Sequence, residues 1–197
     1  MLLKEMGADY ELVLVDRELN AQKSEAYMAL NPTGRIPTLV DGERVVFESA
    51  AICLHLCEKN TQANLMPAVG DPTRAQFYQW LFYLTTTLLP ELMVYIYPGK
   101  HTTDQASTAA IVEAQEARVT EMFALLDNHL SGGREFLVGD RVSVCDYFLF
   151  MYSYWAGGFK QPPLSFKHLG RYLCNIAKRP AVISVCAVEG TSLTAYL

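Results

Sequence analysis

The sequence predicts two unlike halves, a small α/β unit followed by a larger all-helical one. Three observations carry this. Before residue 60, short runs of strand formers alternate with helical stretches and are broken by turn signals. Residues 60–72 then carry Asn, Thr, Gln, two prolines and a glycine, the composition of a connector. Beyond it every periodic segment has the 3.6-residue repeat of a helix.

Taken in order, residues 1–6 read as the tail of a helix closed by Gly7. Tyr10–Val15 alternates and is rich in strand formers, which predicts a strand. Residues 21–29 predict a short helix that stops before Asn31-Pro32, because the residue before a proline avoids the helical region. Thr38-Leu39-Val40 and Val45-Val46-Phe47 predict two strands about the hairpin signal Asp41-Gly42. From Ser49 to about Lys59 a helix is expected, with Ile52, Leu54 and Leu56 on its apolar side. The helical half opens with residues 72–97, rich in aromatics and interrupted by Pro90, where a kink is expected. A second long helix, 104–130, has Ile111, Ala114, Val119, Met122, Leu125 and Leu126 as its expected buried side, and Gly132-Gly133 ends it. Helices follow at about 143–157, 165–178 and 180–187. The domain limits read from this pattern are 1–60 and 72–197.

With 197 residues, 51% hydrophobic and 19% charged, the composition is globular and sufficient for a core. A net charge of -5 argues against a nucleic-acid role. No apolar run reaches the ~18 residues of a membrane span. The opening Met-Leu-Leu-Lys-Glu-Met lacks the long apolar core of a secretory signal. Cys53, Cys57, Cys145, Cys174 and Cys186 include no Cys-x-x-Cys pair. They read as reduced thiols of a cytoplasmic protein, with no metal set among them.

The chemistry concentrates in residues 34–49. A proline opening a strand cannot donate to a ladder, so Pro37 belongs at an edge or turn. With a cis Ile36–Pro37 bond, the free N–H and C=O of Ile36 pair with a peptide-like ligand as an added strand does. After the hairpin, Ser49 stands at a helix start, where free N–H groups and the helix dipole suit a carboxylate. Glu48 beside it suits an ammonium. One α-amino-acid end would meet both. Read singly, each feature is an ordinary loop proline or helix cap; the set is what is specific.

As a set, these residues resemble the glutathione S-transferase family. Asn31-Pro32-x-Gly34-x-Ile36-Pro37-x-Leu39 is similar to its cis-proline loop, and Phe47-Glu48-Ser49-x-Ala51-Ile52 to its γ-glutamyl-binding helix start. Further on, Phe136-Leu137-Val138-Gly139-Asp140 followed by Ser143-x-x-Asp146 resembles the capping box of its helical domain. Arg179-Pro180-Ala181-Val182 resembles its late-helix motif. The likeness runs from Leu2 to about residue 190. Asp146 is structural on both readings, as a helix cap.

The resemblance implies a thioredoxin-like α/β first half, an all-α second half, and glutathione as co-substrate. Ile36 and Pro37 would present backbone to its cysteinyl part, and Glu48 and Ser49 would hold the γ-glutamyl end. Gln22, with Lys23 or Arg35 as neighbours, is placed for the glycyl carboxylate, although Gly34 stands where many relatives carry a basic or polar side chain. A small hydrophobic electrophile would lie against Tyr78, Phe82 and Tyr83, residues that singly read as helical core or dimer interface. A homodimer through the helices at about 49–59, 72–97 and 104–130 is also implied.

In one respect the chain departs from the family. A full member begins with a strand, a loop and a helix whose start bears a Tyr, Ser or Cys that stabilises the glutathione thiolate. Here Leu2–Met6 matches only the end of that helix, so the α/β half is expected to be incomplete and the catalytic residue is unknown. Either Met1 is an internal residue of a longer protein, or the first half is rearranged. Weak or absent transferase activity is the expectation for this chain. The alternative is a non-catalytic binding or scaffold relative. Cys53, a turn into an apolar helix, reads as core rather than as a substitute nucleophile.

Overall fold

The computed structural model describes all residues from Met1 to Leu197. Its first helix, α1 (Leu2–Glu5), is a single turn. Gly7, at φ +63°, closes it: the N–H of Ala8 reaches the Leu3 carbonyl at 3.0 Å and that of Gly7 the Lys4 carbonyl at 3.2 Å. This is the paired capping pattern that a left-handed glycine permits.

The segment expected as a strand, Tyr10–Val15, has no regular secondary structure. Leu12, Val13 and Leu14 are 75%, 72% and 89% exposed. Alternation makes a strand only where a neighbouring edge supplies ladder partners, and none lies beside this segment.

A 3-10 turn (Ala21–Lys23) and α2 (Glu25–Leu30) follow, with Ser24 accepting the Tyr27 N–H at the start of α2. The sheet consists of β1 (Thr38–Asp41) and β2 (Arg44–Phe47), antiparallel in the register Thr38↔Phe47, Leu39↔Val46, Val40↔Val45, Asp41↔Arg44. Leu39 and Val46 form the face packed on the core, while Val40 and Val45 face outward. Helix α3 (Ser49–Lys59) buries Ile52, Leu56 and Cys57. It is tied to the hairpin by Asp41, which takes His55 Nε2 at 2.9 Å and Lys59 Nζ at 2.5 Å.

The connector is docked rather than free. Leu65 is buried and its carbonyl accepts the Val144 N–H at 3.0 Å. Helices α4 (Arg74–Phe82) and α5 (Leu89–Ile96) are joined by a π-helical segment, Tyr83–Leu88. The kink expected at Pro90 is realised as this wider winding, which accommodates a residue that has no N–H to donate. Helix α6 (Thr108–His129) buries Val119, Phe123 and Leu126, a 3.6-residue stripe. Ala114 and Leu125, expected on that side, lie on the opposite face and are exposed. Helices α7 (Val144–Trp155), α8 (Lys167–Ala177) and α9 (Pro180–Val188) complete the bundle. Arg179 joins the halves by pairing with Glu5 of α1 and donating to the Tyr147 hydroxyl.

The centre of α7 is almost wholly buried, and Asp146 anchors its start. Its carboxylate accepts the Leu137 N–H (2.8 Å), the Tyr172 hydroxyl (2.6 Å), and the Ser143 N–H (2.7 Å) and hydroxyl (2.9 Å). Burial raises the pKa of this carboxyl, and the Tyr172, Leu137 and Ser143 hydrogen bonds oppose that rise.

Candidate functional site

The hairpin register brings the two halves of the motif together. With Thr38 opposite Phe47, Ile36-Pro37 and Glu48-Ser49 leave the same end of the sheet. The Ile36–Pro37 peptide bond is cis. Ile36 is about half exposed, and neither its N–H nor its C=O bonds to another group of the protein.

Glu48 is exposed and caps α3 at φ +70°, ψ 116°. A non-glycine residue there is strained by about 1–3 kcal/mol, a cost found mainly at functional positions. The first intrahelical bond of α3 runs from the Ile52 N–H to the Glu48 carbonyl, so the N–H groups of Ser49, Ala50 and Ala51 have no protein partner. Neither the Glu48 carboxylate nor the Ser49 hydroxyl pairs within the chain. A carboxylate, a hydroxyl and free backbone donors thus share one end of the hairpin with the open Ile36 backbone.

What holds this loop in shape is Asn31, which the sequence marked as a helix boundary and as the start of the cis-proline motif, without a role of its own. It is 1% exposed. Its Nδ2 donates to the Arg35 carbonyl at 2.7 Å and Thr38 Oγ1 at 3.2 Å, while Oδ1 accepts from the N–H (3.1 Å) and hydroxyl (2.7 Å) of Thr33. Tyr27 braces the same loop, its hydroxyl lying 2.8 Å from both the Arg35 carbonyl and Thr38 Oγ1. The signal for Asn31 was its place before a proline in a turn, where asparagine bonds back to nearby backbone.

Lys23 lies against Gly34. A Cβ added at Gly34 would meet Lys23 Nζ at 2.5 Å, and the glycine is held at φ +59°. The side chain missing at position 34 is therefore the space that the Lys23 ammonium fills, donating to the Thr33 carbonyl at 3.2 Å. Gln22 reaches Asn20 Oδ1 at 3.5 Å, and its carboxamide oxygen is buried without a partner. The Arg35 side chain is exposed. Gln22 and Lys23 thus lie against the loop from the turn that precedes α2.

The aromatic residues lie on the helical half. Tyr78 and Phe82 stack at 6.3 Å, Arg74 Nη2 donates to the Tyr78 hydroxyl at 2.6 Å, and Phe82 is half exposed. Tyr83 turns into the bundle, edge-on to Trp80 and with its hydroxyl 3.5 Å from the Met122 carbonyl. Neither a ring contact nor a hydrogen bond joins the three to Ile36, Glu48 or Ser49. Cys53 is a partly buried thiol whose pKa is pushed up to about 12 by desolvation. No group of three or more His, Cys, Asp or Glu side chains is gathered as a metal set.

The glutathione S-transferase N-terminal domain family matches residues 1–58, and the glutathione S-transferase C-terminal domain family matches residues 77–180. The chain belongs to the glutathione S-transferase family. Its two halves are the thioredoxin-like and all-helical parts of that fold. Among curated relatives, glutathione S-transferase GstA of Escherichia coli is 27% identical over 190 residues, covering 95% of this chain and 90% of the relative. Glutathione S-transferase 3 of Zea mays is 31% identical over 149 residues, covering 74% and 66%. Among solved structures, a sphingomonad glutathione S-transferase complexed with glutathione superposes with a TM-score of 0.81 at 29% identity, covering 97% of this chain and 92% of that one. A glutathione transferase of Phanerochaete chrysosporium with oxidized glutathione gives 0.82 at 25% identity, covering 96% and 87%.

Proposed function

We propose that this chain binds glutathione along the cis-proline loop and the start of α3 and transfers it to a small hydrophobic electrophile. The backbone of Ile36, before Pro37, pairs with the cysteinyl residue of glutathione. Glu48 receives the γ-glutamyl ammonium, and Ser49 with the free N–H groups of α3 receives its carboxylate. Gln22, Lys23 and Arg35 face the glycyl carboxylate. Tyr78, Phe82 and Tyr83 offer aromatic surface to the electrophile. In the reaction, the thiol proton goes to solvent, a carbon–sulfur bond forms, and the leaving group departs with its electron pair. The single observation carrying this reading is the uncommitted Glu48-Ser49 pair, with Glu48 strained at φ +70°, beside the unbonded Ile36 backbone. Solved relatives that carry glutathione support it.

A second reading, binding without catalysis, draws on the side chains around the loop. The Tyr27 hydroxyl is engaged with Arg35 and Thr38, and Cys53 is held protonated by burial. Neither is fitted to stabilise a thiolate. A homodimer through α3, α4–α5 and α6, a cytoplasmic location and a domain division at the 60–71 connector complete the proposal. Light scattering at two protein concentrations tests the dimer, and limited proteolysis the division.

Calorimetric titration with glutathione tests the central claim. Saturable binding is expected, weakened about tenfold or more in Glu48→Ala, the scale of a charge-assisted contact. A folded chain without measurable binding overturns it. Turnover with an activated aryl chloride then separates the readings: conjugation above the uncatalysed rate supports transfer, and binding alone supports the second reading.

A further inference from the structure

A cluster of unpaired positive charge spans the seam between the halves. On one side is Arg17, in a turn built by Asp16. The Asp16 carboxylate accepts the N–H groups of Glu18 at 2.9 Å and Leu19 at 3.1 Å, and its carbonyl accepts the Ala21 N–H at 2.8 Å. That turn runs directly into Ala21–Lys23, which carries Gln22 and Lys23. On the other side is Tyr97, at the C-terminal end of α5. Arg17 Nη2 donates to the Tyr97 hydroxyl at 3.3 Å, and Lys100 Nζ lies 4.5 Å from the centroid of the same ring.

Neither cation has a carboxylate partner: the ion pairs of the molecule use Lys59, Arg118, Arg141, Lys160, Arg179 and His55. Of the carboxylates nearest in sequence, Asp16 is engaged in its turn and Asp104 in capping Ala106 and Ser107, and Glu18, next to Arg17, forms no ion pair with either cation. The two charges acting on the Tyr97 hydroxyl are both positive, and they hold its pKa below the ordinary tyrosine value, the Arg17 hydrogen bond most. Two cations thus meet at one neutral phenol with no carboxylate within ion-pair distance of either. An anion lying between them would be attracted by both and hydrogen-bonded by a guanidinium and a hydroxyl.

We propose that Arg17, Tyr97 and Lys100 form an anion subsite at the seam, and that it takes the carboxylate of a small organic acid. The subsite is separate from the glutathione reading and is measurable without it. The guanidinium gives the carboxylate two parallel donors, the tyrosine hydroxyl turns to give a third, and the ammonium acts as a point charge.

The probes are an unreactive matched pair, 3,5-dinitrobenzoate and 3,5-dinitrobenzamide, which differ in charge but little in shape. Each is titrated calorimetrically into the full chain and into Arg17→Gln and Lys100→Gln, with glutathione titrated in parallel. The benzoate is expected to bind about tenfold more tightly than the amide, and each variant to lose about fivefold or more of that preference. Glutathione affinity should stay within about twofold in both variants, since these exposed side chains lie outside its assigned contacts. Equal affinity for acid and amide overturns the subsite. So does a variant that weakens glutathione instead, which would assign Arg17 to the glycyl carboxylate. Benzoate preference in a chain that does not bind glutathione overturns the proposed function and leaves the subsite standing.

Discussion

Asn31 and Asp146 are buried polar hubs, one in each half, and each accepts or donates four hydrogen bonds. They differ in reach. Asn31 is neutral and all its partners lie between Thr33 and Thr38, so it shapes one loop. Asp146 has partners from Leu137 to Tyr172, so it joins the 137–143 turn, α7 and α8 within the core. The difference follows from what each half can bury. Around Asp146, Leu137, Val144, Leu149, Tyr172 and Leu173 are all removed from water. In the first sixty residues the buried apolar side chains are Leu2, Ile52, Leu56 and Cys57, and the loop must be held by local bonds. A functional loop built this way can present open backbone groups, which a dense core cannot tolerate.

The largest effect should come from the helical hub. Asp146→Ala strands buried donors from Leu137, Ser143 and Tyr172 at about 1–3 kcal/mol each, so a loss of roughly 3 kcal/mol or more is expected. Urea unfolding measures it; a loss below about 1 kcal/mol would break the comparison. Asn31→Ala should cost less, about 1–3 kcal/mol, but should also weaken glutathione binding, because the Ile36 loop loses its brace. Asp146→Ala examined at a temperature where it stays folded should leave that binding nearly unchanged.

A smaller effect comes from Asp41, whose pKa is lowered by Lys59 first and His55 second. A depressed carboxyl stabilises the fold above its unfolded pKa, and that contribution disappears as pH falls through the folded value. The stability difference between wild type and Asp41→Asn should therefore be constant above the ordinary Asp value of 3.8 and shrink as pH falls from there through the lower folded value. A difference that stays constant across that range would deny the tie between hairpin and α3. The smallest effect is expected at Leu14, 89% exposed. Leu14→Asp should change stability by no more than about 0.5 kcal/mol in thermal unfolding. A large loss there would mean that this segment is covered in solution.

Much of this was legible in the residues. Asp41-Gly42 between two strand-forming runs marked the hairpin, because a two-residue turn and cross-strand alternation are local properties. Ser143-x-x-Asp146 marked the start of α7 for the same reason. Ile36-Pro37 and Glu48-Ser49 were readable as a pair because the hairpin between them sets their spacing. Less legible were contacts between residues far apart in the chain. Tyr172 on Asp146, Tyr27 on Arg35 and Lys23 over Gly34 leave no periodic trace, nor does the meeting of Arg17 with Tyr97.

By itself, then, the sequence determined the local order of helices and turns, the hairpin, and the residues that flank its open end. Dihedral preferences, caps and periodicity act within a few residues and need no partner. Only the tertiary structure decided that Tyr10–Val15 forms no strand, that Ala114 and Leu125 face outward, and that two cations from opposite halves share one tyrosine. A strand exists only beside another strand, burial only against another surface, and a charge cluster only where separate segments are packed together.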